Sequence, residues 1–452
     1  MRSLVLLAML GAPLAGLAQA PGQIPVQPPV QTPMDSSPSA PTDKPASAWA
    51  DVGGELRLTH TAPQANPLGP LAQAHALLPS VGAPPATTDL AEAELRGRWR
   101  FLSANVLLNH ERPKGDSSGS GHSQARFNEL HASADLGAWQ LSAGKKVVSW
   151  DVGYGFRPND VVQQEVRRSL LSNTLEGRPL LQAEYFGAQS ATSVVWVQPQ
   201  HANQTDAQQR GAEESALAAR FYQRHGALDA YGFARLGQHT GASLGAAAAW
   251  VASDELELHA SLRWMQRFDG WQWAAAGNAS PSSAALASAN PWQLATQQRA
   301  SQALLGGQWT GAQQQSLMLE AWHDGSAPSA AQWRQWQARN AGLAELAGPP
   351  PAAVAGNLAW QASPLGGVAG SSNLQRNNVY ARLAWQPEPW QLTLDALWHP
   401  ADDGLISSAG LQWQGDAWKL SAAWRHYGGP RSALVRQLPS RQLGVVALSR
   451  AF

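Results

Sequence analysis

Ala91-Glu92-Ala93-Glu94-Leu95-Arg96-Gly97-Arg98-Trp99 is the stretch on which the fold turns. Ala91, Ala93, Leu95, Gly97 and Trp99 occupy one parity, and Glu92, Glu94, Arg96 and Arg98 the other. Successive side chains of an extended strand point to opposite faces, so four charges line one face while the other is small or apolar and ends on an indole.

The same period of two recurs along the chain. Trp418, Leu420, Ala422 and Trp424 oppose Lys419, Ser421, Ala423 and Arg425; Leu256, Leu258, Ala260, Leu262 and Trp264 oppose Glu257, His259, Ser261 and Arg263. Trp390, Leu392, Leu394, Ala396 and Trp398 oppose Gln391, Thr393, Asp395 and Leu397. Alternation of this kind serves a soluble β-sandwich as well as a membrane barrel, and two further features separate them. First, when strands are assigned from residue 52 onward, the long connections 61–89, 111–125, 149–179, 200–215, 267–299, 324–377 and 428–440 all fall at one end, and the opposite connections are short. Tight turns at one end and long loops at the other characterise outer-membrane barrels. Second, Trp99, Trp139, Trp250, Trp309, Trp385, Trp390, Trp413 and Trp418 collect at the turn end, with Trp150, Trp264, Trp398 and Trp424 at the loop end. An indole has an apolar ring and one N–H donor, and it settles at the headgroup boundary.

The expected fold is therefore all-β: a closed antiparallel transmembrane β-barrel of about 16 to 18 strands with long extracellular loops, since in hydrocarbon only a closed sheet leaves no backbone group unpaired. The 21 Trp against 8 Phe and 6 Tyr agree with two girdles. Downstream of the first twenty residues no run approaches the length of about 18 apolar residues that a spanning helix needs. The chain has no Cys, which excludes disulfides, thiolate metal sites and a lipidated cysteine, and its zero net charge argues against a nucleic-acid partner.

Residues 1–20, MRSLVLLAMLGAPLAGLAQA, read as a secretory signal peptide, with Arg2, an apolar centre and small residues near Ala18 and Ala20. Residues 21–48 are rich in Pro, Ser and Gln, a composition that stays extended and builds no core, and are expected to form a periplasmic tether. Residues 49–452 are expected to form the barrel.

The final segment, Gly444-Val445-Val446-Ala447-Leu448-Ser449-Arg450-Ala451-Phe452, resembles the C-terminal assembly signal of Gram-negative outer-membrane proteins, with Phe452 last and Leu448 and Val446 at alternate preceding positions. Arg450 departs from that pattern, where an aromatic is usual. Gly144-Lys145 followed by Trp150 and by Pro158-Asn159-Asp160 resembles a motif of porin-like and export-channel barrels. This resemblance implies the cell outer membrane as location, outer-membrane lipid and the outer-membrane insertion machinery as partners, and transport rather than catalysis as function.

Residues 149–179 are the candidate constriction loop, with Asp151, Arg157, Asp160, Arg167 and Arg168 setting selectivity; the alternative is a structural plug whose charges satisfy one another. Asn159 and Asp160 are candidate caps for a short helix starting at Val161. The lumenal wall is expected to carry Glu92, Glu94, Arg96, Arg98, Lys146, Arg220, Arg224, Glu257, His259, Arg263, Arg382, Asp395, Lys419 and Arg425, with basic groups in excess. Residues 330–346 show helical spacing of Trp333, Trp336, Leu343 and Leu346, either a surface-lying or plug helix or an aromatic platform for sugars. The twelve His show no H-x-x-x-H spacing and there is no G-x-S-x-G elbow, so no metal, cofactor or catalytic residue is expected; His259 and His131 are the wall histidines most worth testing. Two functions follow: a channel for passive or facilitated passage, or export, of a polar small-molecule or polymer, or an occluded barrel whose outer loops bind a ligand or partner.

Overall fold

The computed structural model describes residues 51–114, 121–163, 175–201, 213–273, 292–346, 350–362 and 373–452. The expected signal peptide and the whole of the tether fall outside them. The described residues form one antiparallel sheet of eighteen strands: β1 (Asp51–Ala65), β2 (Thr88–Trp99), β3 (Leu102–Pro113), β4 (His122–Leu136), β5 (Trp139–Lys146), β6 (Arg178–Phe186), β7 (Ser190–Val197), β8 (Ala216–His225) and β9 (Leu228–Gly237) make its first half. The second half is β10 (Gly241–Ser253), β11 (Leu256–Trp273), β12 (Trp292–Thr310), β13 (Gln315–Asp324), β14 (Asn377–Trp385), β15 (Trp390–His399), β16 (Gly404–Gln414), β17 (Trp418–Gly428) and β18 (Ser440–Ala451).

Each strand pairs with its neighbours in sequence, and β18 returns to β1 in a register running from Glu55↔Ala451 to Ala62↔Gly444. Gly54 and Phe452 exchange backbone hydrogen bonds, both 3.0 Å, which secures the seam to its last residue. No edge is left among these strands. The connections alternate as the sequence predicts, with two residues at 137–138, 226–227 and 254–255 at one end and the long segments at the other. Gly226 sits at φ 61°, the left-handed backbone that such two-residue hairpins require. One expectation is corrected: 267–299 is not all loop, because β11 continues to Trp273 and β12 begins at Trp292, paired to Trp273.

The outward face is apolar. Leu56, Leu95, Leu262, Leu305, Leu394 and Val446 all lie exposed on it, a display no water-soluble sheet sustains. Trp99, Trp139, Trp250, Trp309, Trp385, Trp390 and Trp418 are likewise exposed at the turn end, where Trp390 pairs directly with Trp413. Trp264, Trp398 and Trp424 form the other girdle, joined by Trp196. Trp150 is the exception: it is buried, and it belongs to the interior described below. Arg450, the departure from the terminal pattern, sits opposite Trp418 with its guanidinium 5.3 Å from the ring centre. The cation lies on an indole face at the boundary, so one girdle aromatic supports the residue that replaces another.

At the loop end the connections build a second small core. Helix α1 (Pro70–Leu77) packs Leu71 and Ala74 against Val354, Ala355 and Leu358 of α3 (Pro351–Gln361) and Leu343 of α2 (Ala330–Glu345). Ser329 and Gln332 close a reciprocal capping box at the start of α2. Trp333 and Trp336 do not form a free platform. Both are buried against Trp273, Trp292 and Leu434, and their N–H groups donate to Leu374 O and Gln361 O, each 2.7 Å. A buried indole needs one acceptor, and each has found a carbonyl.

Candidate functional site: the loop across the lumen

The lumenal face carries the charges placed there by parity. Arg57 lies 3.3 Å from Glu55 and 3.6 Å from Glu92; Arg96 lies 2.7 Å from Glu94, which also accepts from Asn105 Nδ2 at 2.8 Å. Lys419 approaches Glu55 at 3.9 Å, and Arg382 contacts Asp395 at 3.1 Å. Arg425 Nε donates to Ser408 Oγ at 3.0 Å. Arg98 stands exposed opposite Asp51 at the turn end. The wall from β17 round to β2 is thus a lattice of ion pairs, some within one strand and some between strands.

The segment after β5 turns into the barrel and crosses it. On one side Val148, Trp150, Val161 and Val162 pack with Leu180, Val195, Val197, Ala218, Phe233 and Ala247 of β6 to β10. On the other, Phe156 packs with Leu304, Met318, Trp322, Tyr380 and Leu397 of β12 to β15. An apolar residue anchors each flank, and polar contacts hold the middle.

Glu320 is the central one. Its side chain is fully buried on the inner face of β13, accepting from Tyr154 N at 2.7 Å, Gly155 N at 2.6 Å and His259 Nε2 at 2.9 Å. Two loop amides and a wall histidine share one carboxylate, and charge-assisted bonds of this kind are the stronger ones. Asn159, fully buried, donates through Nδ2 to Ala246 O, Ser261 Oγ and Leu262 O, at 3.3, 2.8 and 3.0 Å. Gly245 makes room for it: a Cβ there would stand 1.7 Å from Asn159 Oδ1.

Asp151 turns the chain inward at φ 100°, a left-handed conformation uncommon outside glycine. Its carboxylate accepts from Val152 N, Asn159 N and Ser261 Oγ, at 2.8, 2.6 and 2.9 Å. Desolvation nevertheless outweighs these bonds and pushes its pKa above the ordinary aspartate value. Arg157 clasps the loop from within, donating to Gly153 O, Ser149 Oγ and Asp151 O at 2.9, 2.7 and 3.0 Å. Asp160 accepts from Trp150 N at 3.2 Å, and Arg263 donates to Pro158 O at 3.1 Å from the wall. Asp151, Arg157 and Asp160 therefore come together as the loop's own fastening. Asn159 and Asp160 engage the wall and the loop backbone, while most of the helix they were expected to cap, with Arg167 and Arg168, lies outside the described residues. Among those residues, no group of three or more His, Asp or Glu is placed to hold a metal ion.

Glu320 and Asn159 were not singled out by the sequence as anchors. The signal for Glu320 was present: Met318, Glu320, Trp322 and Asp324 share the inward parity of β13. The Pro158-Asn159-Asp160 stretch draws notice to Asn159, but nothing local marks it as an anchor to the wall, because its side-chain partners lie about ninety to a hundred residues away.

No family model matches the chain, and no curated protein matches it. Solved structures do. OccAB1 of Acinetobacter baumannii is similar at a TM-score of 0.51 and 10% identity, over 89% of this chain and 96% of that one. A triple mutant of the Rhodopseudomonas blastica porin aligns at a TM-score of 0.40 and 9% identity, over 89% of this chain and all of the porin. At such identities the likeness is one of architecture: the chain has the porin-like β-barrel fold of the bacterial outer membrane.

Proposed function

We propose that the protein is an outer-membrane channel for polar solutes, inward or outward, whose lumen is narrowed by the loop through residues 147–163. The observation that carries this reading is the span of the loop, with Trp150 seated on the β6–β10 wall and Phe156 on the β12–β15 wall. A loop pinned at both flanks leaves the passage to the wall of β17, β18, β1 and β2, lined by the Glu55, Arg57, Glu92, Glu94, Arg96 and Lys419 lattice. Charges that pair with one another filter weakly, because a solute meets both signs at once. Lys146, which donates to the neutral Ser142 and Gln182, supports a mild preference for anions.

The second reading, an occluded barrel that binds a ligand through its outer loops, is favoured by the packed cap of α1, α2 and α3. Single-channel recording in a planar bilayer separates the two. Steady conductance with weak anion selectivity from the reversal potential is expected; a folded, inserted barrel that stays silent at every voltage overturns the channel and favours the cap.

A further inference from the structure

One lumenal surface lies outside the ion-pair lattice and continues the loop's anchoring core on β6 to β10 toward the turn end. On the inner face of β8 and β9, Tyr222 pairs across the strands with Tyr231, ring centres 5.1 Å apart; Tyr231 stacks on Phe233 at 6.1 Å, and Phe233 lies 6.4 Å from Trp150 of the loop. Four rings thus run from the turn end of the barrel to the loop. Phe233 and Trp150 are buried, whereas Tyr222 and Tyr231 are only partly buried.

Polar groups of both signs surround the two tyrosines. Asp229 accepts from the Tyr222 hydroxyl at 2.8 Å, and Arg224 follows on the same face of β8. Arg220 holds its guanidinium 5.5 Å from the Trp150 ring centre, donates to Ser193 Oγ at 3.3 Å and lies 3.9 Å from Glu184. Its Nε is buried without a hydrogen-bond partner. Glu257 enters from β11 on the same inner wall.

We propose that Tyr222 and Tyr231 form a stacking site for a neutral saccharide on the turn-end side of the loop. The site rests on the channel reading, in that solute must reach it through the lumen. A pyranose presents C–H groups on its face and, at its edge, hydroxyls that both donate and accept. The site matches both: tyrosine faces for the ring, carboxylates at Glu184, Asp229 and Glu257 to accept, and guanidinium groups at Arg220 and Arg224 to donate. Carboxylates and guanidiniums together oppose a solute carrying net charge of either sign. An apolar aromatic solute would leave these partly buried polar groups without replacement for their water, which disfavours it.

The test is binding of maltohexaose and cellohexaose to the purified full barrel in detergent by titration calorimetry, with benzoate as the aromatic comparison and current block in the planar bilayer measured in parallel. Expected results are saturable binding of at least one hexaose, no binding of benzoate, and affinity about tenfold weaker in Tyr222→Ala and in Tyr231→Ala. Tyr222→Phe keeps the ring and is expected to retain most of the affinity, which guards against an alanine variant that fails to fold. A conducting barrel that neither hexaose binds or blocks overturns the saccharide site and leaves the channel standing. A silent barrel that binds hexaose in a Tyr231-dependent way leaves the site standing and overturns the channel. Binding of benzoate with no binding of sugar, or sugar binding that both alanine variants keep in full, also overturns the proposal.

Discussion

His259 Nε2 lies 2.9 Å from Glu320 Oε1, both side chains buried, and the same carboxylate holds the amides of Tyr154 and Gly155. The pair joins β11, β13 and the loop at one point. Glu320→Ala leaves three donors without their acceptor, each worth about 1–3 kcal/mol when buried. The loop should detach on the Phe156 side. Faster amide exchange at Tyr154 and Gly155 and a larger, noisier conductance are expected; unchanged exchange would show that Phe156 packing alone suffices.

The other half of the loop depends on a missing side chain. Gly245→Ala places a Cβ where Asn159 Oδ1 now sits, so it should displace Asn159 as effectively as Asn159→Ala removes it. The two variants are expected to give the same rise in exchange across residues 150–162, and the double variant little more. Additive effects would mean that the two residues act on separate contacts.

Asp151 supplies a pH dependence with a definite sign. Its pKa in the docked loop is raised above the ordinary aspartate value of 3.8, so docking binds protons. Loop stability from this group is fully present below the ordinary value and is lost as pH rises through the raised one. Protection of residues 150–162 should therefore increase on mild acidification and flatten below pH of about 4. In Asp151→Asn this step should disappear; a step that persists would assign it to another group.

Trp336 is fully buried in the outer cap and its indole donates to Gln361 O. Trp336→Ala should cost the cap about 3–5 kcal/mol, opening α2 and α3 to protease while the barrel keeps its heat-modifiable migration on gels. Loss of that migration would show that the cap and the barrel fold as one unit.

Arg450 above Trp418 predicts an asymmetric series. Arg450→Phe should fold at least as well as the parent, restoring an aromatic at the boundary, whereas Arg450→Glu loses the cation over the ring and should lower the folded fraction recovered in membranes. Equal recovery of both would deny the contact any role in assembly.

The strands, their inward and outward parities and most of the tryptophan girdle were legible in the sequence, and their number to within two. Each is a local property: a period of two in hydrophobicity, turn residues at fixed intervals, and an indole at a strand end are all visible within ten residues. Hydrogen bonding in an apolar layer then turns that pattern into a closed barrel, because it permits no edge. Trp150 shows where this ends. By spacing it belongs to the outer girdle, yet it lies inside, because the loop that carries it bends inward at Asp151 and finds Phe233 and Arg220.

What only the tertiary structure decided is the loop's course and the partners of its charges. Asp151, Arg157 and Asp160 were visible as a charged cluster, but the sequence does not distinguish charges that face a solute from charges that fasten a loop. That depends on Glu320, Asn159, Ser261 and Gly245, residues of four unrelated segments brought within hydrogen-bond distance by barrel closure. Secondary structure follows from neighbours along the chain; the site follows from neighbours across the lumen, which exist only once the last strand meets the first.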